Sequence, residues 1–374
     1  MAANKRIYYA VHQVGIGSNA AYAGLTAAHG VQSVGMTTNF NLEQVFELGQ
    51  LAIYENIEEI PDVEITLNKV LDGYPLLYHL ATVDATSPTL AGRSNARAVF
   101  GLSIFSDTAD SSAGTALSSV QCSGMFVSSL SYTFPVDGNF TEDVTLVGND
   151  KIWLNDTKPT NPDVIARIAA VSFDGAFAGN NDEPIGQGGV NRRQDLVFDG
   201  TGVDSTVLPY EVYGISSSGT NDSSGGDFGA HVTNISCSAD LGREEIFELG
   251  RRSPYHRPVT FPIEVTCEVE TISISGDMVS ATEEGIYGSG SAFCIEKSNL
   301  VDRTIRIATC EGTRIYLGDK NKLASVSYAG GDAGGGNVTT TYSFTTFNDM
   351  TVLHSGDPGD TLSWWTNRDD YLGG

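Results

Sequence analysis

At 374 residues the chain is long for one simple domain and comfortable for two. Its 46 acidic residues outnumber 21 basic ones for a net charge of −25, and that sign excludes a wrapping nucleic-acid binder, whose affinity comes from neutralising phosphates. Only 18% of residues are charged while 42 are glycine, so the surface leans on Ser, Thr, Asn and Gly and the composition favours short strands between glycine turns.

Cys122, Cys237, Cys267, Cys294 and Cys310 form an odd set without a C-x-x-C pair, against a disulfide framework and against a zinc ribbon. Buried free thiols are the expectation. The first residues, MAANKRIYYAVHQVG, lack the apolar core of a signal peptide, and no stretch approaches a membrane span. Folding and assembly in a cytoplasm, without export and without a membrane partner, follow as expectations.

In chain order, Arg6 to Val14 is a candidate first strand. Gly15-Ile16-Gly17-Ser18-Asn19-Ala20 follows it and satisfies the short form of a dinucleotide-binding turn. The next strand candidate, Val31 to Met36, leads into Thr37-Thr38-Asn39 with no acid for a ribose, so a plain glycine turn is the reading. Asn19 to Ala28 has the composition of a helix.

Glu43 to Gly49 reads EQVFELG, and EEIFELG recurs at Glu244 to Gly250, a spacing of 201 residues. The same spacing pairs Tyr9 with Tyr210, Val31 with Val232, Val34 with Ile235 and Tyr54 with Tyr255. After one deletion, Val63 to Leu67 aligns with Ile263 to Cys267. Leu130-Ser131-Tyr132 matches Val326-Ser327-Tyr328, and Gly138 to Thr141 matches Gly336 to Thr339. Colinear anchors of this kind predict a duplication.

The matched segments carry strand periodicity. Val63, Ile65 and Leu67 alternate with Glu64, Thr66 and Asn68; Ile263, Val265 and Cys267 alternate with Glu264, Thr266 and Glu268. Period two means one buried face and one wet face. Asp72-Gly73 is a hairpin-turn signal. Phe140, Val144 and Leu146 alternate likewise, echoed by Val338, Tyr342 and Phe344. The unmatched middle holds a helix candidate, Asp163 to Ala170, and a Gly/Asn/Asp-rich stretch, and Ser216 to Gly229 reads as a flexible loop. The expectation is an all-β, mainly antiparallel protein of two tandem β-sandwich or barrel domains at 1–156 and 202–374. One or two short helices and a linker or insertion at 157–201 complete it.

Leu42 to Gly73, Phe247 to Glu270 and Arg193 to Phe198 resemble segments of bacteriophage tail tube proteins, in the branch with duplicated tube domains. The resemblance implies a structural virion protein, not an enzyme and without cofactors. Three chains would make a ring of six modules with pseudo-sixfold symmetry, and the rings would stack into a tube that double-stranded DNA transits. The implied partners are other copies of the chain and tail components such as the terminator, tape measure, baseplate or tip. The implied location is the virion tail, assembled in the host cytoplasm.

Two sets of site residues follow. Phe46, Glu47 and Gly49, with Phe247, Glu248 and Gly250, form either a turn around a core Phe or a loop that docks on an adjacent subunit or ring. Arg251, Arg252 and Arg257 occur in the second copy, where the first has Gln50, Leu51 and Asn56. Glu64, Thr66, Asn68, Glu264, Thr266 and Glu268 are candidates for the lumen face, where acidity lets DNA pass without sticking.

Motifs for other functions are weak. There is no Walker loop, no G-x-S-x-G and no H-E-x-x-H, and the six histidines have no metal-ligand spacing. Acidic turns at Asn181-Asp182-Glu183 and Asp357 to Asp360 are compatible with calcium and equally with ordinary loops. The competing reading is a two-domain carbohydrate-binding or adhesion protein, against which Trp153, Trp364 and Trp365 do not recur between the copies.

Overall fold

A computed structural model describes residues 7–18, 25–85, 87–106, 116–155, 189–196, 207–208, 231–273, 276–281, 300, 302–330 and 336–354. The described chain is all-β, and its strands pair antiparallel. The strands in order are β1 His12–Ser18, β2 Thr26–Ala27, β3 Val31–Asn39, β4 Leu42–Phe46, β5 Ile53–Glu58, β6 Asp62–Val70, β7 Ala98–Ile104, β8 Ser118–Pro135, β9 Thr141–Gly148 and β10 Ile152–Asn155. They continue as β11 His231–Asp240, β12 Glu264–Ile272, β13 Arg306–Ala308, β14 Arg314–Tyr316, β15 Lys322–Ala329, β16 Thr339–Phe347 and β17 Thr351–Leu353. Two short helices, α1 Leu77–Ala81 and α2 Leu90–Arg93, lie between β6 and β7.

The central feature is one continuous run of strands in the order β3-β6-β9-β8-β11-β12-β16-β15. Its two halves have the same ladder. Met36 faces Ile65, which faces Leu146; in the other half Cys237 faces Cys267, which faces Phe344. Leu130 faces Val144 as Val326 faces Tyr342. The irregularities match too: bulges sit at Val31/Ser33 and Val232/Asn234, and again at Val127/Ser129 and Leu323/Ser325. Bulges are local features with defined positions, so their recurrence fixes the correspondence residue by residue.

That correspondence corrects the sequence alignment at β6. Val63 corresponds to Val265 and Leu67 to Val269, two residues beyond Ile263 and Cys267. The reason is that a two-residue slip leaves every side chain on its original face, so alternation alone does not register it.

Burial alternates along the ladder. Val63, Ile65 and Leu67 are buried between exposed Glu64 and Thr66; Val265, Cys267 and Val269 are buried around exposed Glu264 and Glu268. Each such aliphatic side chain contributes roughly 2 kcal/mol by leaving water. The dry face of the first half is covered by a second sheet, β2-β1-β7-β8, with β10 on the far side of β8. β8 belongs to both sheets. Its first part pairs with β7 and β10 and its second with β9 and β11, and Gly124 at the transition takes φ +66°, a left-handed backbone that glycine adopts without steric cost. A separate short sheet, β13-β14-β17, comes from the second half, and its last strand meets the helices of the first, through a Thr89–Thr351 bridge and His79 Nε2 at 3.0 Å from the Val352 carbonyl.

Helix α1 packs against β1, β7, β8 and β9. Its first amide groups, from Leu77 and Tyr78, donate to the buried Glu142 carboxylate at 2.7 and 3.0 Å, and the Tyr132 hydroxyl donates at 3.0 Å. Lys69, directly across the ladder from Glu142, is buried and ion-paired with Asp72.

Four local expectations change. Gly15 and Gly17 lie inside β1, opposite Gly101 and Val99, so they form no turn. Thr26–Ala27 is a strand paired with β1; its partner's hydrogen bonds outweigh helical composition there, and residues 19–24 lie outside the described residues. The first strand starts at His12, after a 3-10 turn at Tyr9–Val11. Asp72-Gly73 leads into α1 instead of closing a hairpin, because the Asp72 carboxylate is taken up by Lys69 and the Tyr74 amide. The helix candidate at 163–170, the loop at 216–229, both acidic turns and Cys294 fall outside the described residues. Cys122, Cys237 and Cys267 are buried free thiols, as composition led us to expect, and Cys310 is half-buried.

Candidate functional site: one joint and two free edges

The joint between the two halves is the pairing of β8 with β11, Leu130 opposite Ala239, Tyr132 opposite Cys237 and Phe134 opposite Ile235. It joins the last strand of one half to the first strand of the other. The ends of the run are therefore the same two kinds of strand: β3, a first strand, and β15, a last strand. Among the described residues neither has a partner on its outer side.

Comparison of equivalent positions shows what the joint covers. Leu241, just past β11, is 1% exposed and donates its amide to the Ser128 carbonyl at 2.8 Å; its counterpart Phe40 is 60% exposed. Tyr132 in β8 is fully buried, whereas its counterpart Tyr328 in β15 is 50% exposed. Ile235 and Cys237 are buried, and their counterparts Val34 and Met36 are half-buried. An unpaired sheet edge presents open backbone groups, and here it carries exposed apolar side chains as well. Phe40 and Tyr328 were not singled out from sequence. The signal was available, since both fall at matched positions, but an apolar residue matched to an apolar residue gives no sign that one is buried and the other bare.

Each half also projects a hairpin beside its first strand. In the first it is β4–β5, with Gln44 opposite Asn56. In the second it is marked by bridges from Arg243 to Val259 and from Ile246 to His256. The E-x-x-F-E-L-G block is the tip of each. Gly49 and Gly250 take φ +89° and +86°, as a turn glycine should, and the amides of Gln50 and Arg251 close the tips on the carbonyls of Glu47 and Glu248. A core Phe at this position is excluded: Phe46 and Phe247 are exposed, as are Leu48, Leu51, Tyr54, Leu249 and Tyr255. Glu47 accepts from the Gln50 amide at 2.9 Å, and Glu248 lies 3.7 Å from Arg251, whose guanidinium lies over Tyr255. Arg252 is exposed.

The second-half hairpin grips the first half across the joint. Arg257 pairs with Glu245 and with Asp62 of β6, the latter at 3.0 Å. Arg243 donates to the Val127 carbonyl at 2.6 and 2.9 Å and lies 5.0 Å from the Phe126 ring centroid. Residues 189–196 also touch both halves, through Asn191 to Leu71 and Phe140 and through Asp195 to Cys310.

The wet face of the run brings the two predicted polar sets together on one surface. Across β9, β8 and β11, Thr66 lies in line with Glu264 and Asn68 with Thr266, while Glu268 lines up with Val70 and Glu64 ends its row at Val147 and Phe126. Asp143, Asp240 and Glu270 complete a surface of Ser, Thr and carboxylates. Among the described residues no group of three or more His, Cys, Asp or Glu side chains is placed to hold a metal ion, and no helix is long and apolar enough to cross a membrane.

Fold and joint together define a class: an all-β protein whose sheet is made of two equivalent units added end to end. No protein-family model and no curated protein matches the chain. Among solved structures it is similar to the tube-terminating cap of the anti-feeding prophage, at 16% identity over 41% of this chain and 95% of that chain, with a TM-score of 0.31. It is also similar to a chain of the sheath–tube complex of an extracellular contractile injection system, PVC, at 13% identity over 41% of this chain and 93% of that chain, with a TM-score of 0.30. A chain of the PVC sheath/tube terminator matches at 16% identity over 41% of this chain and 99% of that chain, with a TM-score of 0.31. Likeness at these TM-scores carries no weight for function, which is read below from the ladders of the chain itself.

Proposed function

We propose that the chain is a structural ring-former of a tail tube, with three chains closing a ring of six modules by adding β15 of each to β3 of the next. The halves would be tandem domains at 1–156 and 202–374, bridged by 157–201. The observation that carries this reading is the internal joint: the chain already contains one copy of the contact it would make with its neighbour. Head-to-tail contacts of this type generate closed rings when the rotation closes, and closure removes every free edge. The number three comes from the tail-tube resemblance.

Repeating the internal register sets the contact between chains. Tyr132 opposite Cys237 becomes Tyr328 opposite Met36, and Ser131 opposite Ser238 becomes Ser327 opposite Thr37. The wet face would line the channel, with its carboxylates repelling DNA phosphates in transit. The apolar tips around Phe46, Leu48, Phe247 and Leu249 would dock on an adjacent ring, with Glu47, Glu248, Gly49, Gly250, Arg251 and Arg252 shaping that contact. Terminator, tape-measure and baseplate proteins of a virion tail would be the other partners.

Cysteines at Ser327 and Thr37 test this directly. Under mild oxidation S327C/T37C should give chain-to-chain disulfides, and S327C/G35C, two residues out of register, should not. Equal cross-linking by both pairs, or none by either, would refute the repeated register.

A further inference from the structure

Building on that ring reading, we infer that the two kinds of joint are chemically different. The joint inside a chain is locked by an ion pair across it, from Arg257 to Asp62, the joint between chains has no such pair, and Asn56 is the position that sets the difference.

Inside the chain, the lock is Arg257. Its guanidinium is buried against Asp62 of the opposite half at 3.0 Å and against Glu245 on its own hairpin. Asn149 completes the cluster, donating to the Pro61 carbonyl at 3.0 Å and lying 3.3 Å from Asp62 and 3.5 Å from Glu245. The ladder correspondence places every counterpart. Arg257 and Glu245 become Asn56 and Gln44, which face each other in β4–β5. Asp62 becomes Glu264, at the start of β12.

A ring would therefore bring Asn56 of one chain to Glu264 of the next, an amide where the internal joint has a guanidinium. The second cation is absent as well. Arg243, held on the Val127 carbonyl and the Phe126 face, has Leu42 as its counterpart, and Leu42 would meet Leu323. Lys322, the counterpart of Phe126, is engaged by Asp302 at 3.1 Å. What remains between chains is backbone pairing and apolar contact from Phe40, Leu42, Leu323 and Tyr328. Such a contact is nearly indifferent to salt, and it is the one that opens first.

The acid for a stronger joint is already present, so one substitution supplies what is missing. Asn56→Arg, on an exposed hairpin, should lower the protein concentration at which rings half-dissociate by about tenfold at low salt, as close interfacial charge pairs do. The gain should shrink between about 0.05 and about 0.5 M NaCl through screening, and Asn56→Gln should leave the parent's midpoint unchanged. Glu264→Gln in the same chain should abolish the gain. Mass photometry over a dilution series reads all four proteins. Rings in the parent with no tightening by Asn56→Arg, or tightening that survives Glu264→Gln, would overturn the inference and leave the ring standing. No rings in the parent at any concentration would overturn both.

Discussion

Tyr328 holds the ladder position in β15 that Tyr132 holds in β8, opposite Thr340 where Tyr132 is opposite Glu142. One is sealed and hydrogen-bonded, the other half bare. The two differ in what lies on their outer side: β11 covers β8, and nothing in the described chain covers β15. The pair shows the same module in its joined and unjoined states.

Phe40 and Leu241 turn that contrast into a mutational test. Phe40→Asp alters a side chain that a single chain leaves in water, so unfolding free energy should change by no more than about 0.5 kcal/mol, while assembly fails because a charge is placed in the joint. Leu241→Asp puts a carboxylate where Leu241 is 1% exposed, and should cost about 4 kcal/mol or more. Urea denaturation of each variant, with sedimentation for assembly, separates the two effects.

The wet face should repel nucleic acid. Parent assemblies should show no retention of double-stranded DNA, whereas Glu264→Lys/Glu268→Lys assemblies, with twelve added units of charge difference in a three-chain ring, should bind it with a steep salt dependence. Co-sedimentation with a labelled duplex at two salt concentrations measures this. Binding by the parent and variant alike would place the face elsewhere.

The hairpin tips should matter for stacking alone. Leu48→Asp/Leu249→Asp removes two fully exposed leucines, so it should leave rings intact and prevent tubes. Negative-stain micrographs of parent and variant distinguish single annuli from stacks.

Two buried carboxyls should give opposite pH dependence. Burial pushes Glu142 up, partly offset by the Tyr78 and Leu77 amides and by Lys69. Its stabilising protonated form is complete below the unfolded carboxylate value and is lost as pH rises through the raised folded value. Burial would raise Glu311 too, but His354 at 3.2 Å, with Thr313 and Thr309, outweighs it and holds the carboxyl below its ordinary range. Its contribution is present above the unfolded value and lost as pH falls through the lowered folded one. Melting temperature against pH should therefore show Glu142→Gln gaining on the parent as pH rises. Glu311→Gln should lose most near neutrality, by about 1–3 kcal/mol, and least in acid.

Much of the ladder was legible because burial in a half-wet sheet imposes period two on β6, β9, β12 and β16. The order of strands was not, since pairing partners leave no mark on alternation. The slip at Val63 passed unseen for the same reason. At Phe46 and Phe247 the difficulty is deeper: an apolar residue left on the surface reads the same in sequence as one buried in the core. Arg257 was noticed as a residue peculiar to the second half, and its meaning emerged only when the joint put Asp62 beside it. The glycines at 15 and 17 show the converse, a motif dissolved by long-range pairing with β7.

The most direct test of the central claim is native mass spectrometry of the assembled protein at low salt, paired with a micrograph of the same sample. Annular particles at three times the 39.7 kDa chain mass, or whole-number stacks of that unit, are the predicted result. A discrete particle of one or two chains, persisting as concentration rises, would contradict it.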